Sequence, residues 1–199
     1  IFSFLVPLLL GASVHVPVGE NTGPLNILKT LEEDKITVAL MVPSVIGFLS
    51  RYFEEIKLPF LRISLFCGEA LPLNHLVGWQ ACTPQARFFN VYGPTEATVF
   101  CSIYECERNE KNILTRNGIV SIGTPMQGTQ FEILTEEGEL CLVGAQITDG
   151  YLKNPEKTGA AFVKLPSNHL AYQTGDIVLK SGSTYFYCGR KDQQIKANG

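Results

Sequence analysis

The segment richest in chemistry is Asn90-Val91-Tyr92-Gly93-Pro94-Thr95-Glu96. Phe88 to Tyr92 reads as a buried strand that Gly93-Pro94 ends abruptly, so Thr95 and Glu96 fall at the end of a sheet strand, where α/β folds place ligands. A hydroxyl beside a carboxylate suits a phosphate with its metal. Thr donates to a phosphoryl oxygen, and Glu is a hard oxygen ligand for Mg²⁺. The same pair also fits a Gly-Pro turn in which Thr and Glu cap a helix. Tyr172-Gln173-Thr174-Gly175-Asp176 stands at the entry to another strand. Its Asp can accept hydrogen bonds from two vicinal ribose hydroxyls, or it can satisfy the amides of its own turn. In Gly189-Arg190-Lys191-Asp192-Gln193-Gln194-Ile195-Lys196, Arg190 suits a ribose or phosphate oxygen and Asp192 a hinge, against the alternative of a solvated charged tail.

Two further stretches are less explicit. Cys67-Gly68-Glu69-Ala70 follows a strand, and its glycine lets backbone approach a flat ligand. No His sits in a partner motif, so Cys67 reads as a small pocket-lining side chain and not as a nucleophile. Gly150 to Thr158 (GYLKNPEKT) shows no obvious chemistry and reads as a structural loop leading into a helix. Neither GxxxxGK(S/T) nor GxGxxG occurs, so any grip on ATP phosphates is of another kind.

The elements that must position these residues change character near residue 100. Before it, helical and strand signals alternate. A buried helix is expected over Phe2 to Leu10 and strands over Ser13 to Val18, Thr37 to Val42, Ile63 to Phe66 and Arg87 to Tyr92. Helices are expected over Leu25 to Asp34, Val45 to Phe53 (capped by Ser44) and Leu73 to Ala81. That alternation implies a mainly parallel sheet with covering helices. After it, Val99 to Glu105, Gln130 to Leu134, Glu139 to Val143, Ile177 to Lys180 and Thr184 to Tyr187 are short strands between Gly, Asn and Ser turns, which suggests a small β-barrel or sandwich. The expected division is therefore α/β plus β: residues 1–100, residues 101–188, and a hinge at 189–199. A cleft where the two meet is a natural ligand site.

With 45% apolar and 18% charged residues, the chain has globular composition. A net charge of −3 without a Lys/Arg cluster gives no footprint for nucleic acid. The six cysteines form no CxxC pair and mostly sit in apolar runs, which suits free buried thiols in a reducing compartment such as the cytoplasm. The three histidines show no ligand spacing for zinc. Pro7, His15 and Pro17 interrupt the apolar start before it could span a bilayer, so no membrane insertion is expected. A sequence that opens inside an apolar run and stops at Asn198-Gly199 reads as a piece of a longer protein.

In order along the chain, NVYGPTE (Asn90–Glu96), GEL (Gly138–Leu140), GYLKNPEKT (Gly150–Thr158), YQTGD (Tyr172–Asp176) and GRKDQQIK (Gly189–Lys196) resemble the adenylate-forming superfamily, over essentially the whole chain. NxYGPTE and GRxDxQxK are similar to its amino-acid-activating branch. LFCGEALP (Leu65–Pro72), YGPTEAT (Tyr92–Thr98) and GTQFEIL (Gly128–Leu134) are similar to the ligases that charge D-alanine onto a carrier protein. A peptide-synthetase adenylation domain for another small or apolar amino acid, an acyl-CoA synthetase, and a non-catalytic relative remain as alternatives.

The resemblance implies ATP and Mg²⁺ as cofactors, and an amino acid (D-alanine) and a phosphopantetheinylated carrier protein as partners. Tyr92 would stack on adenine, with Asn90 near its amino group, Gly93 in the same loop, and the backbone of Gly68, Glu69 and Ala70 on the other face. Thr95 would contact the α-phosphate, Glu96 would hold Mg²⁺, and Asp176 with Arg190 would bind ribose. Asp192 would be the hinge for a C-terminal lid. Phe2, Leu40, Leu65, Cys67, Val91, Val99 and Phe100 would form the amino-acid side-chain pocket. The family's phosphate loop and the Asp that holds the substrate amine would lie upstream of Ile1, and the lid lysine beyond Gly199. Alone, the 199 residues are then expected to bind nucleotide weakly and not to turn over.

Overall fold

The structure, a computed structural model, describes residues 2–17 and 23–192, with the side chain of Phe2 outside that set. It comprises two compact units. The first runs to Phe89 and takes in Glu105–Leu114; the second holds Asn90–Tyr104 and the described residues from Thr115 onward.

The first unit begins with α1 (Phe2–Leu9), the expected apolar helix. Its burial is not as expected, because Phe4, Leu8 and Leu9 are exposed. A helix closes its own hydrogen bonds and so forms without the cover that an all-apolar sequence leads one to expect. The expected strand after it is absent: residues 13–17 run as coil, and Val18 lies outside the described residues. Pro24, pre-set for a first helical turn, opens α2 (Pro24–Glu33). β1 (Val38–Met41) pairs in parallel with β2 (Ile63–Phe66), from Val38↔Ile63 to Met41↔Phe66. Between them lies α3 (Pro43–Leu49), tightening into a 3-10 turn at Ser50–Tyr52. Pro43 takes the first helical turn and Val42 the cap position, so Ser44 is not the cap. Ser44 instead donates its backbone N–H (2.8 Å) and its hydroxyl (3.1 Å) to the Glu69 carboxylate, a cap borrowed from elsewhere in the chain. α4 (Leu73–Cys82) follows, and Trp79 on it is fully buried, packing on Phe53 and donating to Ser64 Oγ at 3.2 Å. β2 neighbours β3 (Arg87–Tyr92), whose first half belongs to this unit.

In the second unit, β3 leads through the site loop to β4 (Ser102–Cys106). Two short pieces, β5 (Thr115–Arg116) and β6 (Ile119–Val120), form a ribbon. β7 (Thr124–Pro125) runs antiparallel to β4. The remaining strands are β8 (Thr129–Ile133), β9 (Glu139–Gly144), β10 (Phe162–Lys164), β11 (Leu170–Ser181) and β12 (Thr184–Arg190), with α5 (Pro155–Ala161) before β10. They pair antiparallel in the order β10-β11-β9-β8, with β12 also on β11. Among the described residues no pairing closes this sheet, so the expected barrel is found as an open antiparallel sheet. β9 is buried on both faces. Leu140 and Leu142 pack with Phe131, Phe162, Tyr172 and Tyr185, while Cys141 and Val143 pack with Ala171 on the other side. That two-sided burial explains its unbroken apolar run.

The sequence suggested two separate signals, YQTGD and Ile177 to Lys180, where the fold has one long strand. Gly175, at φ +71°, lets β11 bulge: Gln173 faces Cys141 on β9, whereas Ile177 faces Glu139. Thr174 fills the gap by donating to the Leu140 carbonyl at 2.8 Å.

Candidate functional site

β3 ends in a loop that the rest of the second unit grips closely. A Cβ on Gly93 would sit 2.4 Å from the Phe100 Cα, so only glycine lets the two arms of the loop meet. Cys101 N–H closes its base on the Tyr92 carbonyl at 2.7 Å. Pro94 leads into a 3-10 turn at Thr95–Ala97. Thr98 and Val99 then both take positive φ, +56° and +77°. Phe100 N–H bonds the Thr98 carbonyl at 3.1 Å, a left-handed γ-turn that is strained for a β-branched residue such as Val99. The loop is held in this shape by Gln146, whose amide donates to the Ala97 and Phe100 carbonyls at 2.7 and 3.1 Å. Thr98 Oγ1 donates to the Gln146 carbonyl, and Thr148 N–H to that of Glu96.

This loop leaves Thr95 exposed and Glu96 half-buried. The Tyr151 hydroxyl donates to Glu96 Oε1 at 2.5 Å. The Tyr172 side chain packs beside Tyr151, both rings meeting Phe162, and its hydroxyl feels the Tyr151 hydroxyl and the Glu96 carboxylate. Burial raises both phenols above the ordinary tyrosine range; the Glu96 carboxylate raises Tyr151 further while Tyr172 lowers it, and Tyr151 and Glu96 raise Tyr172, so both remain donors at neutral pH. Tyr151 is fixed in turn. Its N–H bonds Thr158 Oγ1 at 2.9 Å on α5, whose cap Asn154 accepts from Lys157 N–H, and its ring meets Phe162 edge-on. Sequence reading assigned Tyr151 to a structural loop; fifty-five positions separate it from Glu96, and no local pattern joins them.

A second cluster surrounds Asp176, which is 2% exposed. Tyr92 donates its hydroxyl to Oδ2 at 2.6 Å, and Arg190 Nη1 donates to Oδ1 at 2.9 Å. Burial first, then the Asp176 charge, drives the Tyr92 phenol far above its usual range. Arg190 also grips Asp192 through Nε and Nη2 at 2.9 and 3.0 Å and the Thr174 carbonyl at 3.1 Å. These bonds hold its guanidinium charged still more firmly than usual, the Asp192 contact contributing most. Lys191 pairs with the buried Glu139 at 3.2 Å. An open groove of about 860 Å³ runs along Tyr151, Tyr172, Gly175, Arg190 and Asp192.

Of the other expected site residues, Asn90 is buried and donates its amide to the Ser121 carbonyl at 2.9 Å. Val91 is buried, while Val99 and Phe100 in the gripped loop are half-buried. In the first unit, Gly68 has φ +92°, Glu69 caps α3, and Ala70 is exposed. Leu65 is buried there, and Leu40 and Cys67 are half-buried. The side chain of Phe2 and residues 193–196 of GRKDQQIK lie outside the described residues.

No group of three or more His, Cys, Asp or Glu gathers among the described residues, so nothing there resembles an all-protein metal cage. Glu96 fits a different role. A carboxylate offers about four lone-pair sites, and the bond from Tyr151 leaves others that would suit a hard cation completed by substrate oxygens and water.

The "AMP-binding enzyme" family model matches residues 1–152. The chain is 35% identical, over 94% of its length, to one component of the mycosubtilin synthase of Bacillus subtilis, and spans 8% of that protein. It is 31% identical, over 88% of its length, to the D-alanine–D-alanyl carrier protein ligase of Bacillus licheniformis, and spans 36% of it. Among solved structures, the Vibrio cholerae adenylation domain AlmE, in complex with glycyl-adenosine-5′-phosphate, superposes with a TM-score of 0.73 at 32% identity, over 86% of this chain and 34% of that one.

Proposed function

The chain belongs to the AMP-binding enzyme family, and on that premise we propose that it takes part in activating an amino acid as its adenylate and passing the acyl group to a carrier-protein thiol. The observation that carries this reading is the strained loop after β3, which presents an exposed Thr95 beside a carboxylate oriented by Tyr151.

In this reading Tyr92 lies along adenine with Asn90 and Gly93 beside it, and Gly68, Glu69 and Ala70 give backbone contacts to a base. Thr95 donates to an α-phosphate oxygen. Asp176 and Arg190 meet the ribose hydroxyls with the hydrogen-bonding capacity their mutual contacts leave. Arg190 gives four of its five N–H donors to described residues, so among these one remains. The amino-acid carboxylate, anionic at neutral pH, attacks the α-phosphorus in line. A new P–O bond forms, the bond to the bridging oxygen breaks, and pyrophosphate leaves with the electron pair. The nucleophile needs no general base, so positioning and charge neutralisation lower the barrier. Glu96 would hold Mg²⁺, which when bound would supply part of that neutralisation. The thiol of a carrier phosphopantetheine then attacks the acyl carbonyl: a C–S bond forms, the C–O bond to the phosphate breaks, AMP leaves with the electron pair and the thiol proton passes to solvent, with Asp192 as the pivot between the two steps.

Leu40, Leu65, Cys67, Val91, Val99 and Phe100, with Phe2, are proposed to meet the amino-acid side chain. All are apolar or thiol, which suits alanine, with D-alanine as the first candidate. The 35% identity to a mycosubtilin synthase component favours a second reading, another small or apolar amino acid within a multidomain synthetase. Buried thiols at Cys82 and Cys141, outside any disulfide, accord with a cytoplasmic setting. Amino-acid-dependent ATP–pyrophosphate exchange by the intact protein is the test, with D-alanine expected to give the fastest exchange. Preference for L-alanine or a bulkier residue removes the D-alanine assignment. Exchange with fatty or aryl acids alone reassigns the protein to acyl-CoA synthesis.

A further inference from the structure

The geometry points to Tyr151, backed by Tyr172, as the residue that positions Glu96 for its cation, an inference that rests on the reading of Glu96 as the Mg²⁺ ligand. Three observations converge on it. The Tyr151 hydroxyl lies 2.5 Å from Glu96 Oε1, at the short end for a phenol donating to a charged acceptor. Tyr172, 8% exposed, brings a second phenol to the same cluster. Both tyrosines are themselves braced, Tyr151 through Thr158 and an edge-on contact with Phe162, and Tyr172 through its own contact with the Phe162 ring at 5.0 Å between centroids.

A lone glutamate on a turn samples several rotamers. A carboxylate whose lone pairs are partly occupied by fixed donors has one preferred orientation, and its remaining lone pairs face the cation. Partners of this kind orient a metal ligand without touching the metal. Tyr151 and Tyr172 thus act through Glu96, and their contribution belongs to cation affinity and not to nucleotide contact.

The experiment uses Mn²⁺ as probe with the intact protein and a non-hydrolysable ATP analogue, following free Mn²⁺ by electron paramagnetic resonance. Tyr151→Phe keeps the ring against Phe162 and removes only the hydroxyl. It is expected to weaken Mn²⁺ binding about tenfold while leaving the affinity for the analogue in EDTA unchanged. In a Glu96→Gln background the same change should add little, since the two act as one unit. Wild-type Mn²⁺ affinity in Tyr151→Phe, with Glu96→Gln impaired, overturns the positioning role and leaves the proposed function standing. Wild-type affinity in Glu96→Gln removes the metal-ligand reading itself. An equal, independent loss in the Glu96→Gln background overturns the proposal in favour of general destabilisation. If Tyr151→Phe fails to fold, Tyr172→Phe is read by the same criteria.

Discussion

Asp176 is a buried carboxylate with both side-chain oxygens and its own N–H bonded. Its two oxygens serve Tyr92 and Arg190, and its own N–H bonds Thr174 Oγ1 at 3.0 Å. A buried carboxylate is tolerated only when its charge and lone pairs are answered, and removing one donor leaves a desolvated acceptor behind. Tyr92→Phe is therefore expected to lower stability by about 1–3 kcal/mol, read as a shift in urea midpoint. Arg190→Lys should be at least as damaging, because an ammonium cannot bridge Asp176, Asp192 and the Thr174 carbonyl as the planar fork does. If Tyr92→Phe unfolded at the wild-type midpoint, the hydroxyl would have no structural part and the phenol would be free for other work.

Among the elements, the gripped loop draws two of its bonds from one side chain, Gln146. Gln146→Ala leaves two carbonyls without their donor and lets the γ-turn at Val99 relax. The expected cost is about 1–3 kcal/mol, accompanied, in the intact protein and if the proposed activity holds, by a raised KM for the amino acid in exchange assays with KM for ATP less affected. Equal effects on the two would argue that the loop does not shape the amino-acid side. The sequence made some of these elements legible and concealed others. β2, β3 and α4 lie within a residue of their expected bounds, because each is a continuous apolar or periodic run. β11 was read as two pieces because Gly175 marks both a turn and a bulge, and only a partner strand distinguishes them. β10, three residues long, offers too few positions for any period. The Glu69 cap on α3 could not be read locally, since the sequence offered Ser44 in the usual place while the carboxylate comes from twenty-five positions away. The same holds for the site. Thr95, Glu96, Asp176 and Arg190 stood out by type and spacing, whereas Tyr151 and Gln146 gain their roles only from contacts made by folding.

For the molecule as a whole, the pKa shifts lean towards alkaline sensitivity. Cys82 and Cys141, both fully buried, have thiols pushed by burial from 9.0 to about 11, and the buried tyrosines shift the same way. Groups with raised folded values hold their protons more tightly in the folded state. Their contribution is complete below pH 9.0 and is lost as the pH climbs through about 11. The urea midpoint should accordingly fall between about pH 8 and about pH 10.5, and an unchanged midpoint would contradict this. On the acid side, Glu105, lowered by its bond to Arg87, and Glu137, lowered by local hydrogen bonds, are surface groups, and their pairing is worth little.

The single tryptophan, Trp79, is buried in the first unit, whereas six of the seven tyrosines (all but Tyr52) belong to the second. The chain is thus labelled by nature at two wavelengths. Emission excited at the red edge of the indole band follows the first unit alone, and near-ultraviolet dichroism of the phenols follows mainly the second. Melting curves recorded both ways on one unmodified sample would show whether the units come apart together or in succession, and which of them a bound nucleotide steadies.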